Sequence, residues 1–419
     1  MIVLSHPTGN ANVRAVLDAF ERAGLLARFV TTLGWSTTSY PHLADNIRGK
    51  LRRNYALPAD RIDIHPLRET VRLLAGSFGL KWLYDDESRW ASIDQVYQSI
   101  DRETARRLRR GDYGAAVQGV YAYEDCAEQQ FIAARELGLR RIYDLPIAYW
   151  ETAQRLLREE AQRYPEWEPT LGGTRDSEEK LARKARELAL AELVVCPSNF
   201  VFESLPAEAT SSKRIVVAPF GSPSIDVDLP PERGRDARRL RVLFAGALTQ
   251  RKGLADLFAA MKLIDPTAVE LVLMGSLLRP LAWYRRQFPN FIYEPPRPHK
   301  AFLRLMQSCD LFVLPSIVEG RALVQQEAMA CGLPVVATRN AGADDVIVDG
   351  ESGFLVPIRS PEAIAEKLTW FAANRARLGE MRDAARGAAR KLTWRGYGGI
   401  VVAAVRQLVG DATAPAGRA

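Results

Sequence analysis

The sequence predicts two Rossmann-like α/β domains facing each other across a cleft, and three observations support this. Short β-branched runs alternate with helical stretches along most of the 419 residues, the pattern of parallel sheets covered on both sides. The runs form two series, separated by one stretch rich in Pro, Gly, Asp and Arg and lacking apolar periodicity, Ser222 to Leu240, as an interdomain linker reads. The length suits two or three domains, each with its own core.

The first series runs through Ile2 to Ser5, Phe29 to Thr32, Ile62 to His65, Ala115 to Val120, Arg141 to Asp144, Leu193 to Cys196 and Ile215 to Ala218. Between its first two members, Val13, Val16, Leu17 and Phe20 recur at the spacing of a helix with one apolar face. The second series comprises Arg241 to Ala245, Val269 to Met274, Leu311 to Pro315, Pro334 to Thr338 and Gly353 to Val356. Ser360 before Pro361 reads as a helix N-cap with proline in the first turn, continued by Ile364, Leu368 and Phe371. The domains are therefore expected at 1–225 and 226–395, with a last helical segment and tail at 396–419.

Composition narrows the function classes. Hydrophobic residues are 47% and charged residues 26%, which excludes disordered and fibrous chains. Lys plus Arg number 57 against 50 for Asp plus Glu, giving +7, a mild preference for anions that selects no partner by itself. Cys126, Cys196, Cys309 and Cys331 form no CxxC pair and the four histidines are scattered, so neither a disulfide framework nor a zinc site is expected and a reducing cytoplasm fits. Met1 to Asn10 does not read as a signal peptide, and the apolar stretch Gly398 to Gly410 is short and broken by Arg406. Without G-x-G-x-x-G a dinucleotide oxidoreductase is disfavoured, and no aromatic single-strand module points to nucleic acid.

In open parallel sheets ligands gather beyond the carboxyl ends of the strands. One such place is the stretch from Leu311 to Thr338, with Glu319 in a turn and Glu327 eight residues later. At ~1.5 Å per helical residue the carboxylates stand about 12 Å apart, too far for an acid/base pair on one bond but suited to the two ends of one ligand. Amides of Gly320, Arg321, Ala322 and Leu323 open the intervening helix, a place that favours an anion. A diphosphate between two hydroxyl-bearing sugars fits; in isolation the pair reads first as a solvated helix face. Val242 to Gly253 adds a strand, a glycine turn and two cations, Arg251 and Lys252, which suit a phosphate clamp or a solvated turn.

Together these segments resemble the retaining, GT-B-fold glycosyltransferases of the large family-four group. The resemblance rests on Pro315, Ser316, Glu319, Gly320, Glu327 and the run Ala328 to Ala337, then Asp349 to Val356; upstream it includes Cys196 to Asn199 and Val216 to Gly221. It implies that Lys252 contacts the donor diphosphate, Glu327 the nucleotide ribose and Glu319 the hydroxyls of the transferred sugar. Amides from Gly320 to Leu323 would complete the anion site, and the base would lie near Glu294 and Pro295. No metal or other cofactor is implied; the donor is a nucleoside diphosphate sugar, and the acceptor a glycan, a lipid-linked molecule or a small molecule. The final helix, around Tyr397 to Leu408, would cross back to the first domain.

Some positions depart from the family pattern. Ala247 stands where many relatives have Arg, with Arg251 the candidate substitute. Arg321 follows Glu-Gly, where it is expected to meet sugar, phosphate or an anionic acceptor. Asp144 stands where some relatives have a catalytic His, and it fits either an orienting group or a helix cap. In the loop after the first run, Gly9 allows close backbone approach to acceptor or donor phosphate, Asn10 and Asn12 supply donors and a cap, and His6 reads as structural. Asp226 and Asp228 form a D-x-D in the linker, read as accidental. Arg48, Lys50, Arg52, Arg53 and Tyr55, with Lys81, Trp82, Tyr84 and Trp90, interleave cations and aromatics. This suits solvated arginines around buried aromatics, a carbohydrate groove, or peripheral attachment at the inner face of a membrane.

The expected function is metal-independent transfer of a hexose-type sugar with retention, using Glu319, Lys252 and Asp144 at the reacting centre. A non-catalytic nucleotide-sugar-binding partner of another transferase, or a nucleotide-sugar epimerase on the same scaffold, is the alternative.

Overall fold

A computed structural model describes residues 1–39, 53–223, 225 and 239–410. The first domain holds a sheet of seven parallel strands in the order β5-β2-β1-β6-β7-β8-β9. Its strands are β1 (Ile2–Ser5), β2 (Leu26–Thr31), β5 (Ile62–Ile64), β6 (Gly119–Tyr123), β7 (Arg140–Asp144), β8 (Leu193–Cys196) and β9 (Arg214–Val217), with a small parallel pair, β3 (Trp35–Ser36) and β4 (Asn54–Tyr55), beside it. The second sheet has six parallel strands in the order β12-β11-β10-β13-β14-β15: β10 (Leu240–Ala245), β11 (Val269–Met274), β12 (Phe291–Glu294), β13 (Leu311–Leu314), β14 (Val335–Ala337) and β15 (Gly353–Leu355). Central strands such as β1 and β13 are buried throughout, as sheets covered on both faces require.

The expected strands lie within a few residues of the observed ones, except that β6 begins at Gly119 rather than Ala115. Tyr121 and Tyr123 belong to it, and Gly119 fits because a Cβ there would crowd the backbone carbonyl of Arg140 on β7. The helix Pro361–Ala373 begins as expected, but Ser360 makes no side-chain cap bond; only its carbonyl serves, accepting from Ile364 N at 3.1 Å.

Two crossings join the halves. The boundary expected between 225 and 226 lies at the edge of residues outside the described ones, as does the D-x-D. The second crossing precedes the helix Trp394–Gly410, whose Tyr397, Val401, Val405 and Leu408 pack with Val13, Val16, Leu17 and Phe20 in the core of the first domain. Gly398 lets it approach closely, since a Cβ there would press on Ala19. Ser222 N donates to Leu392 O at 2.9 Å, and Phe220 stacks on Trp394, so the two crossings lie side by side.

A third connection departs from the simple two-domain division. Trp167, from the first half of the chain, is buried in the core of the second domain, with its ring 5.8, 4.7 and 5.9 Å from Phe258, Trp283 and Tyr284. Beside it Glu160, on the helix Trp150–Arg163, accepts from Gln250 Nε2 at 2.6 Å and from Arg359 Nε at 2.5 Å. Residues 150–170 thus strap the first domain to the second.

Candidate active site

The turn after β10 is shaped by glycines. Gly246 has φ +136°, and its missing side chain makes room for the methylenes of Lys252. Gly253, at φ +73°, lies where a Cβ would overlap the Pro315 carbonyl, so this turn packs directly on the loop after β13. Thr249 Oγ1 accepts from Lys252 N at 3.3 Å, and the Arg251 carbonyl accepts from Ile317 N at 2.9 Å.

Arg251 and Lys252 converge on one carboxylate. Lys252 Nζ is paired with Glu319 Oε1, and Arg251 Nη1 lies 3.2 Å from Glu319 Oε2. Burial pushes the Glu319 carboxyl upward, but Lys252 and then Arg251 outweigh it, holding it below the usual glutamate range. Glu319 is therefore ionised and holds two cations at the carboxyl edge of the sheet.

Loops of the first domain pin the turn carrying Glu319. Ala148 N donates to Glu319 O at 3.3 Å and Ser198 Oγ to Gly320 O at 2.6 Å. Gly320 faces the Pro146 carbonyl so closely that any Cβ would overlap it. Ser198, a helix cap in the Cys-Pro-Ser-Asn segment, therefore also carries an interdomain contact.

The helix Leu323–Ala330 follows. Of the four amides expected at the anion site, that of Ala322 is not available, since it donates to Ala341 O at 3.1 Å. Leu323 and Val324 have no i−4 acceptor within the helix and supply its N-terminal field. Glu327, on the second turn, has Oε1 2.9 Å from His299 Nε2, at the start of the helix His299–Gln307. No sequence signal links His299 to Glu327, 28 positions apart; the pairing arises only because their two helices are neighbours. Glu294, at the end of β12, is paired with Arg297, beside the exposed Pro295.

Three expectations are corrected. Arg321 does not face a ligand: its side chain is fully buried, Nη1 lies 2.7 Å from both Asp345 oxygens and 3.3 Å from Pro197 O, and Nε donates to Gln326 at 3.2 Å. It is a structural ion pair tying this loop to the first domain. Gly9 is required by packing, because at φ +61° a Cβ would overlap the Tyr55 hydroxyl; its amide donates to His6 Nδ1 at 2.7 Å and its carbonyl accepts from Arg14 at 2.9 Å. His6 is the hub of that loop, accepting also from Thr8 N at 3.0 Å, and burial lowers it to about 3, so it stays neutral. Asn10 does cap the first helix, accepting from Val13 N at 3.3 Å.

The third correction is Asp144, which neither caps a helix nor faces the cleft. It is buried, accepting from Tyr121 Oη at 2.9 Å and Asn12 Nδ2 at 3.5 Å, with Tyr397 of the last helix beside it. Burial raises its carboxyl to about 7, against the Tyr121 hydrogen bond. A carboxyl that holds its proton more tightly folded than unfolded contributes stability fully present below the ordinary aspartate value, and this is lost as pH rises through about 7. Asp144→Asn is therefore expected to melt higher than the native protein at pH 8, on the order of 1–3 kcal/mol, and to keep only a smaller part of that advantage at pH 5. A melting difference equal at both pH values would contradict this.

Among the aromatics expected to be buried under arginines, Trp82 and Trp90 are exposed instead, while Arg53 is paired with Glu69. Arg48, Lys50 and Arg52 lie outside the described residues. Among the described residues no cluster of three or more metal-ligating side chains gathers, and no helix is long and apolar enough to cross a membrane.

Two facing parallel sheets, with cations, a helix N-terminus and two glutamates at the mouth of the second, define a GT-B architecture. Residues 228–392 match the family model described as Glycosyl transferases group 1. A D-inositol 3-phosphate glycosyltransferase of Xylanimonas cellulosilytica is 29% identical over 232 residues, 48% of this chain and 55% of that protein. The chain spans between about a sixth and about half of the length of the curated relatives it matches. Among solved structures, sucrose-phosphate synthase from Thermosynechococcus elongatus superposes with a TM-score of 0.63 at 17% identity, covering 98% of this chain and 99% of that one. Anabaena Alr3699/HepE in complex with UDP gives 0.61 at 15% identity, covering 97% and 99%. These likenesses establish the fold.

Proposed function

We propose that the protein is a retaining glycosyltransferase that moves a hexose-type sugar from a nucleoside diphosphate sugar to a glycan, lipid-linked or small-molecule acceptor. The observation that carries this reading is the convergence of Arg251 and Lys252 on Glu319 beside the N-terminus of the helix bearing Glu327. The two cations and the amides of Leu323 and Val324 stabilise the departing diphosphate. Glu319 holds the transferred sugar's hydroxyls and Glu327, oriented by His299, the ribose. The base lies by Glu294 and Pro295.

The bond from the anomeric carbon to the diphosphate oxygen breaks and the bond to the acceptor oxygen forms on the same face; the acceptor proton passes to the departing phosphate. No step requires a protein nucleophile or a metal. Asp144 acts behind the site, holding the end of β7 to Tyr121 and Asn12. Contacts of Pro146, Ala148 and Ser198 with the Glu319 turn bring the first domain over the donor and exclude water.

Phosphorylated polyols are acceptors to try, because one relative is named a D-inositol 3-phosphate glycosyltransferase, and uridine diphosphate is the first nucleotide to try, because the Anabaena protein is in complex with UDP. The reading is tested by whether the protein releases a nucleoside diphosphate from one sugar nucleotide.

A further inference from the structure

One helix braces both sides of the candidate site. The helix Trp150–Arg163 begins just after Pro146 and Ala148, the residues that meet the Glu319 turn. Its Leu156 and Leu157 pack with Ile317 and Val318, which directly precede Glu319 in the chain. Glu160, about one turn further on, reaches the opposite side, where Gln250 precedes Arg251 and Lys252.

Gln250 is fully buried and held at four points. Its Nε2 donates to two carboxylates, Glu160 Oε2 at 2.6 Å and Asp256 Oδ2 at 2.9 Å. Its Oε1 accepts from Ala255 N at 2.7 Å, and its backbone N donates to Thr170 Oγ1 at 3.2 Å. Two groups from the first half of the chain, Glu160 and Thr170, thus set where the turn Gln250–Lys252 stands. Glu160 is itself fully buried and fixed by Arg359 Nε at 2.5 Å and Arg163 Nη1 at 3.2 Å. The carboxylates of Glu160 and Asp256 are matched by the guanidiniums of Arg163 and Arg359. A buried polar network with its members satisfied holds one arrangement.

Such rigidity matters more for transfer than for binding. A lysine on a flexible stem can follow a bound diphosphate, but charge stabilisation in the transition state works through groups already in place. A displacement of ~1 Å can cost about a hundredfold in rate. We propose that Glu160 is a positioning residue of the transfer reaction, fixing through Gln250 where Arg251 and Lys252 stand against Glu319 and the departing diphosphate. The proposal rests on the transferase reading of this site.

The test is Glu160→Gln, which keeps the shape but leaves one acceptor oxygen where the network uses two, so that Gln250 or Arg359 faces an amide donor. Thr170→Val, which removes the hydroxyl between Gln250 N and Trp167 O, is the milder companion. Binding-competent sites are counted by calorimetric titration with the diphosphate of the donor that the native protein consumes, UDP first, and turnover is expressed per site. Turnover per site is expected to fall about ten- to a hundredfold in Glu160→Gln and severalfold in Thr170→Val, with diphosphate affinity within about threefold of native. A merely structural role would lower the melting temperature and the number of sites and leave turnover per site unchanged. That result in Glu160→Gln, or in Thr170→Val should the first variant not fold, would overturn the proposal, as would an affinity loss as large as the loss of turnover. Absence of turnover in the native protein would overturn the transferase reading along with it.

Discussion

In Lys252→Ala, affinity for the donor's nucleoside diphosphate is expected to fall about ten- to a hundredfold while the protein remains folded. A hydrogen bond to a charged group contributes ~1.5–3 kcal/mol, and tenfold in affinity corresponds to ~1.4 kcal/mol. Folding survives because Glu319 is not left as a buried, unpaired charge: Arg251 remains 3.2 Å from its other oxygen. Glu327→Ala is expected to weaken binding similarly, since the half-exposed His299 that it leaves is solvated. Calorimetric titration with UDP, GDP, ADP and dTDP checks both variants, and wild-type affinity in both would remove the assignment of the donor site.

Trp167→Ala is expected to cost about 3–5 kcal/mol, the range for truncating a buried large aromatic, although residue 167 belongs by sequence to the first domain. Its indole is enclosed by Phe258, Trp283 and Tyr284, so the loss falls on the second domain's core and frees the strap that Glu160, Gln250 and Arg359 otherwise hold. Thermal unfolding followed by tryptophan fluorescence should show the lower-melting transition shifted down. An unchanged profile would mean that residues 150–170 do not join the domains.

Much of the fold was legible because parallel strands buried on both faces read as β-branched runs, and the apolar stripe Val13, Val16, Leu17 and Phe20 has a helical period. Glu319, Arg251 and Lys252 were legible because each lies in a loop after a strand end, and Glu327 by its eight-residue spacing from Glu319. What escaped depends on partners distant in sequence. Arg321 looks like a ligand contact until Asp345 is seen to hold it, and Asp144 looks like a cleft residue until Tyr121 and Tyr397 enclose it. Gly9 signals close approach correctly, but the approaching group is the Tyr55 hydroxyl. Trp167 carries no local mark of the domain it enters.

The central claim is that one nucleoside diphosphate sugar is bound and consumed between Lys252, Glu319 and Glu327. The most direct measurement is release of nucleoside diphosphate by the native protein from the glucose, galactose, mannose and N-acetylglucosamine conjugates of UDP, GDP, ADP and dTDP, with and without varied acceptors. Slow release from one donor, accelerated by one acceptor, is the predicted result. Tight binding of a sugar nucleotide with no release under any acceptor would contradict it and leave a non-catalytic partner of another transferase as the better account.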